Sequence, residues 1–321
     1  MHAAAILSRP VPSHAKRSVQ APRAVVMIRP HHFTPNEATA ADNAFQCPVT
    51  GSRGSLASHA YREVSAVAEA LAQAGVDVHL FEDEGTETPD SVFPNNWFST
   101  HSGGHVALYP MFSPSRRRER RADVVEMLKQ RYRVQDIIDY SGLEQDEVYL
   151  EGTGAMVLDH IERVAYAARS NRTNEIALER FCTHFNFEPV VFDAADAAGR
   201  PIYHTNVLMC VGTEVALIGL DTIRDARRRA EVADRLSDAG RAVVALSHRQ
   251  IEDFAGNAIE LDGRGGRILA LSARAARSLT AEQRGVLERS VELLPLEVPT
   301  IELAGGSVRC MLAGIHLSPR G

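Results

Sequence analysis

Asn174-Glu-Ile-Ala-Leu178-Glu-Arg-Phe181-Cys182-Thr-His-Phe185-Asn-Phe-Glu-Pro189-Val-Val-Phe192 reads as one helix followed by one strand. Leu178, Phe181, Cys182 and Phe185 recur at the three- and four-residue steps of a helical face, Asn174 is a good helix cap, and Pro189 to Phe192 is a short apolar β-run. The same pairing recurs along the chain. Val64, Val67, Ala68 and Leu71 after His59 lead into Val76 to Phe81, and Val125, Leu128 and Tyr132 after Ser115 lead into Tyr132 to Ile138. Ile223, Ala226, Ala230 and Ala233 after Thr222 precede Ala242 to Leu246; Leu287, Val291 and Leu294 after Thr280 precede Leu296 to Ile301. Helix starts at 59, 115, 174, 222 and 280 are therefore 56, 59, 48 and 58 residues apart, a repeat of supersecondary units.

Further β-rich stretches lie between the helices: Ser91 to Ser99, Val106 to Tyr109, Ala155 to Leu158, Val164 to Ala167, Val207 to Val211 and Val215 to Ile218. Intervals that hold two or three strands favour five αβ units in a closed ring, which protects sheet edges, over an ordinary doubly wound sheet. The ordered chain is expected to begin at the apolar run Ala24-Val-Val-Met-Ile-Arg29. Residues 1–23, rich in Pro, Ser, His and Arg without periodicity, read as a loose tail, and 24–321 as a single domain.

Composition removes several function classes. The 321 residues are 45% hydrophobic and 24% charged, with a net charge of −6, so no overall basic field recommends nucleic acid or an anionic membrane as partner. Both lysines, Lys16 and Lys129, lie outside any GxxxxGK setting, which excludes a P-loop. No apolar run reaches the roughly 20 residues of a membrane helix. The four cysteines, Cys47, Cys182, Cys210 and Cys310, show no CxxC pair, so neither a disulfide framework nor a thiolate zinc site is supported and a reducing, cytoplasmic setting is expected. His101 and His105 are four apart but lack a zincin glutamate between them, so no metal is expected.

Cys182 and Cys210 fall in apolar patterns and read as core. Cys310 differs: it follows Gly305-Gly306-Ser307-Val308-Arg309, leads into a strand-like Met-Leu-Ala, and has glycines whose amides can approach a reacting group. His204, in Tyr203-His204-Thr205-Asn206 at the mouth of an apolar strand, is placed to act as a base. Glu151 opens Glu-Gly-Thr-Gly, and Asp90-Ser-Val-Phe-Pro94-Asn95-Asn96-Trp97 gathers an acid, two amides and the single tryptophan. Each has an ordinary reading as loop or turn chemistry, and the five arginines of Ser115 to Arg121 read as a solvated helix start.

Together, in this order, these segments resemble the guanidino-group-modifying (amidinotransferase, or pentein) superfamily, which includes arginine deiminase and dimethylarginine dimethylaminohydrolase. The resemblance runs from about Ala24 to Pro319 and rests on Pro89 to Asn96, Pro114-Ser-Arg-Arg117, Glu151-Gly-Thr-Gly, Ser170 to Asn174, His204-Thr-Asn and Gly305 to Cys310. It implies an α/β fold, the pentein five-bladed pseudo-symmetric α/β propeller of ββαβ-type units. It also implies Cys310 as nucleophile, His204 as general acid/base, Glu151 as the carboxylate that orients it, and Asp90, Arg116 and Arg172 at the amino-acid end of the substrate. Asn96 stands where deiminases have an acid, preceded by Asn95 where the dimethylarginine enzyme also has one. An amide both donates and accepts, which suits a neutral ureido carbonyl. Asn is also a feature here of relatives that remove two ammonias from arginine-type substrates.

Ile28-Arg-Pro-His-His-Phe-Thr-Pro-Asn36-Glu-Ala-Thr39, running to Asn43-Ala-Phe-Gln46, further resembles the citrulline-utilisation hydrolase (citrulline ureidase) subgroup and adds Asn36 and Asn43 as pocket residues. The expectation is therefore cofactor-free hydrolysis of the citrulline ureido group to ornithine, carbon dioxide and ammonia. Arginine deimination or dihydrolysis and a non-catalytic binding ring are the rivals. The expected partner is a small amino-acid substrate, with neither nucleic acid nor membrane, and a homo-oligomer is allowed.

Overall fold

The computed structural model describes residues 18–47 and 53–321. β1 (Ala24–Pro30) is buried along almost its whole length, and helix Arg53–Gln73 returns the chain so that β2 (Asp77–Asp83) lies parallel to it, Ala24 opposite Asp77. The chain then repeats one arrangement four times. β3 (Phe98–His101) and β4 (His105–Leu108) form a hairpin, helix Ala122–Arg131 crosses over, and β5 (Asp136–Asp139) pairs parallel with β4. β6 (Met156–Asp159), β7 (Val164–Ala168), helix Glu175–Phe185 and β8 (Glu188–Phe192) follow, then β9 (Met209–Val211), β10 (Val215–Ile218), helix Ala226–Asp238 and β11 (Ala242–Ala245). The last repeat is β12 (Ile259–Gly263), β13 (Gly266–Ser272), helices Ala273–Ser278 and Ala281–Leu287, and β14 (Glu292–Leu296). A tight turn suffices for the antiparallel pairs, whereas the parallel partner needs the helical crossover. β15 (Ala313–Ile315) closes antiparallel on β1, so the first sheet is built from both ends of the chain.

Helix Glu175–Phe185 shows why these segments fold as they do. The Asn174 side chain accepts from the Ile176 amide, Glu175 complements the positive end, and Asn186 ends the helix in the left-handed conformation. Its buried face, Leu178, Phe181, Cys182 and Phe185, packs with Ala107 and Tyr109 of the second unit and Met156 and Ala165 of the third. Shared apolar clusters link each sheet to the next in chain order. The fifth packs on the first through Leu261, Ile268 and Ala270 against Val25 and Met27. The first strand of each hairpin, with β15 in that position in the first sheet, lines one axial cavity of about 50 Å³.

The five three-stranded sheets agree with the ring of ββαβ-type units expected from the sequence. Several boundaries differ. Thr222 ends a turn of 3-10 helix and Asp225 is the cap that starts Ala226–Asp238, its side chain accepting from the Arg228 amide. Ser91 to Ser99 is not one strand, because Pro94–Asn96 coils before β3. Leu296 to Ile301 is likewise not a strand: β14 ends at Leu296, and Ile301–Ala304 is helical, with Glu63 accepting from the Thr300 and Ile301 amides. The β12–β13 hairpin, with polar residues at the turn, was outside the expected strands. Residues 18–23 of the segment read as a tail are seated: Gln20 donates to Leu158 and Val211 carbonyls and accepts from the His160 amide. The rest of that segment lies outside the described residues.

His101 is buried, and His160 and His316 stack at 3.9 Å where they line the axial cavity. Burial, with the neighbouring positive charge, holds all three below the ordinary histidine range, His316 at about 4. They are neutral when folded, while the unfolded chain binds protons below about pH 6.5. Stability is thus complete above that pH and falls on acidification, by about 2 kcal/mol for a group such as His316 at pH 5. Thermal unfolding followed from pH 7 to pH 5 should show Tm falling steeply, and His316→Gln should flatten the slope.

Candidate active site

Glu151 has no accessible surface. It precedes the one-turn helix Gly152–Ala155, which begins with Gly152 at φ 44°. A Cβ on Gly152 would lie 2.6 Å from the Asn95 carbonyl oxygen and 2.8 Å from that of Asn96, so only glycine lets this turn rest on the Pro94–Asn96 coil. Four donors converge on the carboxylate. His204 Nε2 is 2.8 Å from Oε2, Arg116 Nη1 3.3 Å and Arg172 Nη1 3.6 Å, while the Phe112 amide donates to Oε1 at 3.1 Å. Burial pushes the Glu151 carboxyl up, but the Arg172 charge, the His204 hydrogen bond and the Arg116 charge outweigh it and hold the group well below the carboxylate range.

That contact sets the histidine tautomer. With Nε2–H donated to Glu151, Nδ1 of His204 is the free lone pair. Burial pulls His204 down to about 4 despite the opposing pull of Glu151, so the ring is neutral at neutral pH. Gly154 makes room for it: a Cβ there would meet the ring at Cε1 and Nδ1, both 2.9 Å away, and the Asn96 side-chain amide at 2.1 Å. In the orientation that satisfies both ends of its amide, Asn96 accepts from Arg116 Nη2 and Nη1 at 3.0 and 3.1 Å. Its amino group then faces Gly154 and the imidazole. Asn95 is fully buried, and its side-chain nitrogen has no hydrogen-bond partner among the described residues.

The two arginines flank this centre, and each is gripped by an acid that the sequence reading did not single out. Arg116 forms a two-pronged pair with Glu119, at 3.0 and 2.9 Å, and lies 3.6 Å from Asp90. Burial, only partly offset by Arg116, pushes the Glu119 carboxyl up to about 8. Arg172 is held by Asp42 through Nε and Nη2 at 3.0 and 2.6 Å and lies 4.5 Å over the Tyr203 ring. The solvated reading of the Ser115 to Arg121 run therefore fails for Arg116, which is buried. Asn36 donates to Asp90 at 2.8 Å. Asn43 spans to the C-terminal loop, donating to the Ala304 carbonyl at 2.9 Å beside Gly305. A cavity of about 810 Å³ is lined by Asp42, Asn43, Asn171 and Tyr203, on the side of Arg172 that Asp42 holds.

Cys310 is buried on the one-turn helix Val308–Met311, not on a strand. Asn206 and Asn257 each direct a side-chain amide at its sulfur from 3.2 Å, which holds the sulfur as an acceptor. The histidine segment and the thiol loop are tied together twice: Asn206 follows His204 by two residues, and the Tyr203 hydroxyl donates to the Gly305 carbonyl at 2.9 Å. Arg309, next to the thiol in sequence, donates to the Leu312 carbonyl and lines the axial cavity. His101 bonds to Ser99 and His105 to Asp136, and no cluster of three metal-ligating side chains occurs among the described residues.

The sequence signal for Glu119 was its three-residue spacing from Arg116, and Asn206 lay inside a quoted motif. Asp42 and Asn257 had no local pattern to mark them.

The family described as N,N dimethylarginine dimethylhydrolase, eukaryotic, matches residues 29–317. Among solved structures, the substrate-bound N-terminal domain of ArgZ, an arginine dihydrolase from the ornithine-ammonia cycle in cyanobacteria, is similar with a TM-score of 0.69 at 16% identity, over 91% of this chain and 97% of that one. Unliganded AgrE gives 0.69 at 16% identity over 93% and 40%. An adduct of dimethylarginine dimethylaminohydrolase with 4-chloro-2-hydroxymethylpyridine gives 0.62 at 12% identity over 92% and 100%. At these identities the structures share the fold. No curated protein sequence matches the chain. No helix among the described residues is long and apolar enough to cross a membrane.

Gly154→Ala tests the packing against His204. Because the new methyl must displace the imidazole or Asn96, turnover should fall by about 100-fold or more with the fold retained, as kcat measured beside Tm will show.

Proposed function

We infer the reaction from one premise: the chain belongs to the family described as N,N dimethylarginine dimethylhydrolase, eukaryotic, and is a hydrolase of guanidino- and amidino-type C–N bonds. The substrate proposed within that class is L-citrulline. What supports it is how the polar groups are spent. Asp90, Glu119 and Glu151 lie against Arg116, and Asp42 and Glu151 against Arg172. No carboxylate of the group is left unpaired for a guanidinium, whereas the Asn95 side-chain nitrogen is left without a partner among the described residues, beside the Asn96 amide, a donor suited to a ureido oxygen.

In this reading the Cys310 sulfur attacks the ureido carbon and its proton passes through His204 Nδ1 to the departing ornithine nitrogen. A carbamoyl thioester remains. Water, giving a proton to the same nitrogen of His204, then cleaves the C–S bond, restores the thiol and releases carbamate, which decomposes to carbon dioxide and ammonia. Glu151 keeps the imidazole in the tautomer that leaves Nδ1 free. Arg172 would take the α-carboxylate in exchange with Asp42, and Asp90, braced by Asn36, the α-ammonium group. Asn43 holds the loop of Asp42 to the thiol loop.

A second reading, arginine dihydrolysis, is favoured by the charge count: with Glu119 held up to about 8 and so mostly protonated at neutral pH, three carboxylates, Asp42, Asp90 and Glu151, face two guanidiniums, an excess that welcomes a cation. The solved ArgZ structures are of an arginine dihydrolase.

Incubation with citrulline and, separately, arginine, with ornithine, citrulline and ammonia quantified, decides between them. Ornithine formed from citrulline but not from arginine, and lost in Cys310→Ala, is the expected result; ornithine with two equivalents of ammonia from arginine decides for dihydrolysis, and citrulline accumulating from arginine, with no ornithine from citrulline, overturns the citrulline reading. Since His204 must be neutral to accept a proton, kcat/KM should decline only as pH falls toward about 4. Glu151→Gln removes the group that raises the imidazole's basicity and should move that limb lower still while slowing turnover.

A further inference from the structure

The segment before β12 folds under constraint. The short helix His248–Glu252 opens on a Ser247–Gln250 capping box and ends at Asp253, and the chain then turns through Phe254 at φ 61°. Glycine or asparagine usually takes that left-handed position, where a bulky side chain is strained. Phe254 is held in it by the Phe45 ring at 5.8 Å and by Arg274, which lies 5.5 Å over its face and pairs with Asp253 at 2.8 Å. Two residues on, Gly256 rests directly on another backbone: a Cβ there would lie 2.6 Å from the Leu208 carbonyl carbon and 2.7 Å from the Val207 carbonyl oxygen. Strain and close approach together deliver one side chain, Asn257, which has no accessible surface.

The Asn257 amide is fully engaged, and the backbone fixes its orientation. Its oxygen accepts from the Arg309 amide at 3.1 Å, and its nitrogen donates to the Asn206 carbonyl at 2.9 Å. The remaining N–H points to the Cys310 sulfur, 3.2 Å away. Asn206 aims a second side-chain nitrogen at the sulfur, but its oxygen has no partner among the described residues to fix which end of that amide faces the thiol. Of the titratable groups that act on the sulfur, Tyr203 is held neutral by burial, with its hydroxyl on the Gly305 carbonyl, and Arg309 contributes a positive charge from the adjacent residue.

We propose that Asn257 is a catalytic residue of this enzyme: its side-chain N–H holds the negative charge of the Cys310 sulfur at the two moments when that sulfur carries it. In the first, the S–H bond breaks, the proton goes to His204 Nδ1, and the electron pair left on sulfur attacks the ureido or guanidino carbon. In the second, the C–S bond of the covalent intermediate breaks and the pair returns to sulfur before it regains its proton. A hydrogen bond to an ionised acceptor is about twice as strong as one to a neutral group, so the donor favours both states over the resting thiol. The inference rests on the reading of Cys310 as nucleophile and is independent of which substrate the enzyme turns over.

Alkylation of Cys310 by iodoacetamide as a function of pH, followed by mass spectrometry of its peptide, reads the sulfur independently of turnover. In Asn257→Ala the pH of half-maximal rate should rise by about one unit, and in Asn257→Asp, whose carboxylate has no proton to give, by more. In Asn257→Ala kcat should fall by about tenfold or more with KM little changed, since the amide touches the nucleophile rather than the substrate. In the wild-type protein an Nδ2 proton resonance of Asn257 should move as Cys310 ionises and stay fixed in Cys310→Ala. An unchanged alkylation profile with a raised KM, or an Asn257 resonance that does not follow the sulfur, overturns the proposal; if the Asn257 variants do not fold, the wild-type resonance decides it. Turnover that survives Cys310→Ala fails the nucleophile reading itself, and the catalytic role with it, whatever the alkylation profiles show.

Discussion

A carboxylate removed from water must be satisfied by the protein, and Glu151 is where that demand is greatest. Its two oxygens collect Arg116 and the Phe112 amide from the second unit, Arg172 from the third and His204 from the fourth. Each of those partners brings its own obligations. Arg116 requires Glu119, Arg172 requires Asp42, and the imidazole requires the absence of a side chain at Gly154. The charged centre is thus a small network whose members position one another. Removing one would leave its partner buried and unpaired, a loss of several kcal/mol.

The ring architecture makes such convergence possible. Five sheets turn the first strand of each hairpin, or β15, toward a common axis, so the turns around those strands meet at one end although they are far apart in sequence. The Pro94–Asn96 coil, the Gly152–Ala155 turn, the Thr205–Val207 turn and the Val308–Met311 turn occupy equivalent places before or after inner strands. Rigid sheets behind them reduce the freedom of the side chains these turns carry, which is what holding a fixed geometry among charged groups demands.

Helical periodicity made the five units legible, because Leu178, Phe181, Cys182 and Phe185 face the core whichever partner they meet. Boundaries were less legible where competing local chemistry prevailed: Asp225 is a stronger cap than Thr222, and Pro94 coils a segment that its apolar neighbours suggested as strand. At the site, Cys310, His204, Glu151, Asn96 and both arginines lay in motifs that could be read. Their partners did not, apart from Asp90, Glu119 and Asn206. Asp42 reaches Arg172 across 130 positions and Asn257 reaches Cys310 across 53, and nothing in the local pattern of either residue records such a distant neighbour.

The pairing of β15 with β1 has a temporal side. Ala24 waits for Ile315, and Val26 for Ala313, so a chain emerging from the ribosome holds an unpaired β1 edge until residues 313–315 have been made. The thiol arrives in the same late stretch, a few residues ahead of the strand that completes the first sheet. Synthesis thus delivers the Cys310 thiol together with the closing strand, and a nascent chain short of them has neither a finished first sheet nor the contacts of Asn206 and Asn257 with that sulfur.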